Sequence, residues 1–267
     1  MTGDPPVHVP LDPAEVAASS RSLLLDPADF IEPASISTPC APRNRSNGVA
    51  RNPSAAGVLK LRFRFSKTGN LRFIGHHDLM RTLERMIRRG ALPVASSQGF
   101  NPRFKVVFAL ALGLGIEARR EVVEIEFTDP VDPLTTLKAL AAQAPEGLDF
   151  IEAEAVVDRR ATCRPIVASY ALVIPQPLVV EARRAVAAFL AQDQFVIEKR
   201  RGDRDVPFDL RPFVLDANVD DEGLFVFRLK IEPGGSARPD ELLTALGLRD
   251  PLDHGAVLIR TDLELAP

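Results

Sequence analysis

The sequence predicts an α+β fold with two domains, at residues 58–157 and 166–267, that follow an N-terminal leader. Two periodicities support this prediction. Apolar and polar residues alternate where a strand has one buried side, and apolar residues recur every three or four positions where a helix does. From residue 58 the two patterns follow each other in the order β-α-β-β-α-β, and this order then repeats. It is typical of the split βαβ, or ferredoxin-like, arrangement, in which two helices cover one side of a four-stranded antiparallel sheet.

The leader, residues 1–57, is predicted to be disordered. It contains nine prolines and many serines, alanines and aspartates, with no sustained periodicity. Such a composition does not supply enough apolar surface for a packed core. A short helix at residues 13–25, or apolar anchoring of residues 23–30 on a partner, is the alternative.

The first domain begins with a strand that has one basic side. Its buried positions are Leu59, Leu61, Phe63 and Phe65, and its exposed positions are Lys60, Arg62, Arg64 and Ser66. After a turn at residues 67–70, an amphipathic helix is predicted from His76 to Gly90, a residue suited to the left-handed conformation that follows a helix end. Strands at residues 105–110, 122–127 and 148–156 and a helix at residues 133–143 complete the domain.

The second domain repeats the order without a shared sequence motif. Its predicted strands are residues 170–174, 194–199, 224–231 and 257–263, and its predicted helices are residues 177–191 and 239–246. An insertion is expected around residues 209–212. The linker between the domains, residues 158–165, is itself basic.

Basic charge is concentrated at residues 60–105. This segment contains eleven lysines and arginines against Asp78 and Glu84, whereas the whole chain has a formal charge of −3. Such a local excess indicates a surface that meets phosphates or another polyanion. The expected nucleic-acid-binding residues are Lys60, Arg62, Arg64, Lys67, Arg72, Arg81, Arg85, Arg88, Arg89, Asn101, Arg103 and Lys105. The alternative is a solvated basic helix face on which Glu84 pairs with Arg88.

Two loops add possible contacts to RNA. An exposed Phe100 would stack on a base, and Asn101 would read a base edge, as in single-stranded RNA recognition. At the turn after the first strand, Lys67 and the backbone amides around Gly69 would hold a phosphate. Ordinary turn chemistry, with Phe100 buried, is the alternative reading of both loops.

His76 is the candidate for acid–base chemistry, because histidine titrates near neutral pH. It lies at the predicted N-terminus of a helix, where the helix dipole favours the neutral ring. The alternative is a residue that satisfies exposed amides or packs at the edge of the sheet. The sequence offers no second pair of ligands at metal-binding spacing, so no metal site and no cofactor are expected.

The composition and the cysteine content indicate the cellular compartment of the protein. Hydrophobic residues make up 46% of the chain and charged residues 26%, which is typical of a globular protein. No apolar run approaches the roughly 18 residues of a membrane span, and no secretory signal begins the chain. Two distant cysteines, Cys40 and Cys163, form neither a disulfide framework nor a metal cluster. A cytoplasmic protein with no membrane contact is therefore expected.

Several of these segments resemble a bacterial family of uncharacterised proteins called radical-SAM-associated, or radical-SAM-linked, some of whose members are fused to cobalamin-binding radical SAM modules. The resemblance lies in the run FSKTGNLRFIGHHDLMRTLERMIRRGALPV, in SSQGFNP and GLGIEARRE, and in the later DLRP. The family pattern falls on Lys67, Gly69, His76, Asp78, Gly99, Phe100, Asn101, Pro102, Glu121, Asp209 and Arg211. The chain departs from it at Gly75 and His77, where the family has serine and leucine, and at Arg103-Phe104, where it has His-Pro.

The resemblance implies a radical SAM protein as partner and a connection with RNA metabolism. The chain has no CxxxCxxC motif, so it is not itself a radical SAM enzyme. We expect an accessory module, without catalytic activity of its own, that presents a structured RNA such as tRNA or rRNA to a partner enzyme. The alternatives are a protein-interaction subunit of a radical SAM system and a metal-independent RNA-processing enzyme. In the latter, His76 is the base and Lys67 or Arg72 stabilises a phosphate.

Overall fold

The computed structural model describes residues 58–156, 158, 162–202, 204–233 and 235–266. The leader predicted at residues 1–57 lies outside these ranges. Within them the chain is a mixed α+β protein in which a large sheet carries most of the core. None of the helices described is long and apolar enough to cross a membrane.

The first half has the predicted order of elements. They are β1 (Val58–Lys67), α1 (His76–Arg89), β2 (Val106–Phe108), β3 (Glu117–Val131), α2 (Pro133–Ala141) and β4 (Leu148–Ala155). In the sheet β1 lies between β4 and β3, and β2 pairs with the other edge of β3, with every neighbouring pair antiparallel. The apolar face of α1 packs on the strands and buries Leu79, Leu83, Met86 and Ile87.

The end of α1 differs from the prediction. Gly90 has a right-handed conformation, with φ −76°, and Ala91 takes the left-handed position instead, with φ 48°. The amides of Ala91 and Leu92 donate to the carbonyls of Arg88 and Ile87, which is the Schellman pattern of helix termination. The left-handed residue that follows the helix is therefore Ala91, one position later than the predicted Gly90.

The second half has more elements than predicted. They are β5 (Pro165–Val173), α3 (Val179–Leu190), β6 (Val196–Arg201), β7 (Arg204–Asp209), β8 (Val214–Val219), β9 (Leu224–Lys230), α4 (Pro239–Ala245), α5 (Asp250–Asp253) and β10 (Ile259–Leu265). Its strands have the order β10-β5-β9-β8 in the sheet, and all neighbours are antiparallel.

The strand expected at residues 194–199 does not join this sheet. There β6 pairs with β7 in a separate two-stranded sheet, and β8 takes the expected place beside β9. The insertion is therefore longer than predicted and includes the whole β6–β7 hairpin. The sequence did not predict β8 because its exposed residues Asp216 and Asn218 have low strand propensity.

The two halves share one eight-stranded sheet. The start of β3 pairs in parallel with β10, at Glu117 with Ile259 and Ala118 with Arg260. A register shift in β3 between Ala118 and Glu121 keeps both residues on the side of the sheet where α1 packs. Because Arg260 lies opposite Tyr170 in the second core, the helices of both halves cover this same side.

Candidate nucleic-acid interface

The basic side of β1 lies on the opposite side of the sheet from α1. Lys60, Arg62 and Arg64 alternate with the buried Leu61 and Phe63, so they point away from the helices. These three basic residues and the helix therefore do not form one surface.

Carboxylates from neighbouring strands balance the charge of this basic side. Glu124 lies 2.7 Å from the Lys60 ammonium and 2.9 Å from the Arg62 guanidinium, which also pairs with Glu154 at 2.9 Å. Arg64 pairs with Asp262 at 3.0 Å. Binding of these cations to phosphates would require that the ion pairs break.

Burial and ion pairing oppose each other at Glu124. Burial acts to raise the pKa of this carboxyl, but the hydrogen bonds from Lys60 and Arg62 outweigh it, so the pKa lies below its ordinary value. Glu124 is therefore ionised at neutral pH and holds the two basic side chains in place.

Lys67 lies inside the protein, not at the lip of a turn. The residue is 1% exposed, and its ammonium donates to the Ile74 carbonyl oxygen at 3.3 Å. Burial lowers its pKa, with the positive charge of Arg260 acting in the same direction and Glu121 opposing it. The nearby amide of Gly69 donates to Glu117 at 2.9 Å. Contact between Lys67 and a phosphate would therefore require this segment to open.

The outer face of α1 retains its positive charge. Arg81 pairs with Asp78 at 3.2 Å, with both side chains well exposed. Arg85 donates to the Thr82 hydroxyl and Arg89 to the Gln143 carbonyl oxygen, which are uncharged acceptors. Among the described residues, no ion pair joins Glu84 to Arg88.

A small loop lies beside this helix face. The Arg88 guanidinium sits 5.4 Å from the ring centroid of Phe104, at the base of the loop. The loop closes because the Ser97 and Arg103 backbones pair and the Ser97 hydroxyl accepts from the Arg103 amide. At its tip the Phe100 side chain is completely exposed.

We call the helix face and the loop together the α1–loop surface. It consists of Arg81, Arg85, Arg88, Arg89, Phe100, Asn101 and Arg103, all of them exposed. Lys105 lies next to it but pairs with Glu126 at 2.9 Å. Of the family-pattern residues, Gly99 and Pro102 shape the loop, and Gly99 has φ 141°, a conformation that favours glycine.

His76 is partly exposed at the N-terminus of α1. Its ring meets the edge of Phe108 at 5.3 Å and that of His77 at 5.9 Å. Burial lowers its pKa, and the charge of His77 lowers it further, so the ring is neutral at neutral pH. Within the described ranges no hydrogen bond orients the His76 ring.

Glu121 forms the buried ion pair that joins the two halves. Arg260 donates to both of its oxygens at 2.6 Å, and both residues are 2% exposed. Arg260 also donates to the Ala111 carbonyl oxygen at 3.3 Å. Sequence reasoning missed Arg260. The last strand also contains Asp262 and Glu264, so its sequence does not distinguish Arg260 as the charged residue that is buried.

The Asp-Leu-Arg-Pro segment fixes the base of the β6–β7 hairpin. Asp209 accepts from the amides of Phe195 and Arg211 at 2.9 and 3.2 Å. Arg211 donates to the carbonyl oxygens at the end of α3 and at the start of β8. Both family-pattern residues therefore make contacts that hold the backbone.

Comparison with known proteins identifies one family. The model of a bacterial family described as uncharacterized proteins conserved in bacteria (DUF2344) matches residues 60–239. The match contains β1, α1 and the α1–loop surface, and it ends before β10 and Arg260. No curated protein matches the chain.

Proposed function

We propose that this chain, which belongs to the DUF2344 family of uncharacterized bacterial proteins, is an RNA-binding accessory module. One observation carries the proposal. The α1–loop surface combines four helix arginines, of which Arg81 has a carboxylate partner, with a completely exposed phenylalanine. Unbalanced arginines favour phosphates, and an exposed aromatic ring favours an unstacked base.

The dimensions of the surface suit a structured RNA with an unpaired stretch. Arg81 and Arg89 are eight residues apart on α1, so the arginines extend over about 12 Å of the helix. Helix arginines would follow the phosphates, while Phe100 would stack on a base and Asn101 would hydrogen-bond to a base edge. A stem with a loop, as in tRNA or rRNA, offers both features. This assignment moves the proposed contacts away from the ion-paired Lys60, Arg62 and Arg64.

The proposal also includes two ferredoxin-like halves, a cytoplasmic location and a radical SAM protein as partner. The strand orders β4-β1-β3-β2 and β10-β5-β9-β8 support two ferredoxin-like halves, because split βαβ units have this order. A cytoplasmic location follows from RNA as the ligand. We assign a radical SAM protein as the enzyme that receives the RNA because the sequence motifs resemble those of the radical-SAM-associated family.

Charge reversal of the helix tests the proposal. We would measure anisotropy of fluorescein-labelled tRNA with the protein and with the triple variant Arg81→Glu, Arg85→Glu and Arg89→Glu. We expect the triple variant to bind about 10- to 100-fold more weakly and to lose about 2 to 3 units of the slope of log affinity against log salt concentration. The matched control reverses three exposed arginines of the second half, Arg184, Arg200 and Arg204. Equal binding by both triple variants would contradict the proposal.

Isolation of the protein from its own cells separates the proposal from its alternatives. An RNA class that is enriched with the unaltered protein and lost with the helix variant supports the RNA module. An acidic protein that stays bound after nuclease treatment favours the interaction subunit. Turnover of the bound RNA that His76→Ala abolishes, with binding intact, favours the enzyme.

A further inference from the structure

A groove lies where the two halves meet, apart from the α1–loop surface. It has a volume of about 610 Å³. The first half contributes Arg72, Phe73 and residues 113–116, and the second half contributes Arg238, Asp240 and Arg249. The volume lies in the range of roughly 300–1,000 Å³ that small-molecule sites occupy.

The groove has an excess of positive charge. Three arginines from three separate segments line it, against the single carboxylate of Asp240. Arg72 lies 3.6 Å from Glu117. Arg238 and Arg249 are exposed, and neither side chain makes an ion pair or hydrogen bond with any other residue that the structure describes. Two guanidiniums are therefore available to an anion.

Apolar groups line the same groove. Phe73 is 58% exposed and Leu114 is 69% exposed, so both side chains present apolar surface to a ligand in the groove. The Arg72 guanidinium lies 4.4 Å from the centroid of the Phe73 ring. At this distance the guanidinium and the ring attract each other. A ligand that fits the groove has both an anionic part and a flat apolar part.

Asp240 narrows the choice of ligand. A carboxylate at the wall repels a second anionic group, which disfavours polyphosphates and acidic peptides. It accepts hydrogen bonds from hydroxyl groups, as acidic residues do from ribose in nucleotide sites. An anionic group, a ribose and a flat base occur together in a nucleoside monophosphate.

We propose that the groove binds a nucleoside monophosphate group, with its phosphate at Arg238 and Arg249 and its base against Phe73 and Leu114. Arginine suits this role because its planar donors match phosphate oxygens. The group is either a free nucleotide or the phosphorylated end of an RNA. The proposal does not depend on RNA binding by the α1–loop surface.

Calorimetry with adenosine monophosphate tests the groove in the full chain. We expect the double variant Arg238→Ala and Arg249→Ala to bind it at least about tenfold more weakly, because it loses the charge-assisted hydrogen bonds to the phosphate. The control variant Arg184→Ala and Arg200→Ala should bind as the unaltered protein does. Phe73→Ala should weaken binding of adenosine monophosphate but not of inorganic phosphate. Absence of binding at millimolar concentrations, or equal binding by all variants, would overturn the proposal.

Short RNA oligonucleotides distinguish the two sources of the group. If a 5′-phosphorylated oligonucleotide displaces adenosine monophosphate and its 5′-hydroxyl form does not, the groove takes an RNA end. If neither displaces it, the groove takes a free nucleotide. Reversal of Arg81, Arg85 and Arg89 should leave binding of adenosine monophosphate unchanged, so failure of the RNA proposal and failure of the groove proposal are separable.

Discussion

β1 and the outer face of α1 carry arginines at similar density, but their charges have different partners. In β1, Arg62 and Arg64 pair with carboxylates from β3, β4 and β10. On α1, the acceptors of Arg85 and Arg89 are a hydroxyl and a carbonyl oxygen. The strand arginines meet carboxylates of other strands, whereas two of the helix arginines, Arg81 and Arg85, meet residues three positions away on α1 itself. In this protein, basic residues of similar density in the sequence are therefore largely neutralised on β1, where other strands supply carboxylates, and not on α1.

The largest effect that we expect comes from Glu124→Ala. Removal of this carboxylate breaks its ion pair with the buried Lys60 and removes one of the two carboxylates that pair with Arg62. We expect the free energy of unfolding to fall by about 3 kcal/mol, because loss of one member of a buried ion pair leaves an uncompensated charge. Urea denaturation followed by circular dichroism measures this change.

The control for this variant is Glu152→Ala, which removes an exposed ion pair to Arg120. Its expected cost is at most about 1 kcal/mol. Equal stability of the two variants would show that the β1 charges are not held as the structure indicates. The contrast between the ion-paired basic residues of β1 and the arginines of α1 would then no longer hold.

The same carboxylate gives a pH dependence with a definite sign. Ion pairing lowers the pKa of Glu124 below its ordinary value of 4.5. Its contribution to stability is therefore present above about pH 4.5 and is lost as the pH falls through the lower pKa of the folded state. The unaltered protein should lose more stability than Glu124→Ala does between pH 5 and pH 2, as measured by urea denaturation at a series of pH values.

Phe100→Ala tests whether the α1–loop surface binds RNA by stacking on a base. Because Phe100 is fully exposed, we expect no measurable change in stability. RNA affinity should fall by about 1–3 kcal/mol, the usual contribution of one stacked base. Anisotropy with labelled tRNA measures the affinity, and Val107→Ala, which removes another exposed apolar side chain, is the control. Unchanged affinity would remove base stacking from the proposed mode of binding.

The smallest expected effect concerns His76. Partial burial lowers its pKa, so its ring should titrate below the ordinary value of 6.5 in an NMR titration. Because the unfolded chain binds this proton more readily, His76 should reduce stability as the pH falls through 6.5. His76→Gln should remove that dependence and leave RNA affinity at pH 7.5 unchanged. A pKa at or above 6.5 would contradict the packing of the ring on Phe108.

The local periodicity of apolar residues was sufficient to predict much of the secondary structure of the first half. The helix predicted from His76 begins there in the structure, because its apolar spacing requires no knowledge of distant residues. The first strand was also recognised, since one of its sides is continuously apolar. The local pattern was insufficient to predict β8, because Asp216 and Asn218 have low strand propensity although Val214, Ala217 and Val219 pack on the core. The strand predicted at residues 194–199 falls on β6 instead, because Phe195, Val196 and Ile197 have high strand propensity.

The sequence alone determined the α+β class, the β-α-β-β-α-β order of the first half and the position of the basic segment. These properties follow from periodicity and composition, which are local. Only the tertiary structure decided which basic residues are paired, where the two halves join and that Arg260 meets Glu121. These contacts link residues up to 198 positions apart, as from Arg64 to Asp262. No local signal specifies such pairs, because strand pairing and register are properties of the assembled sheet.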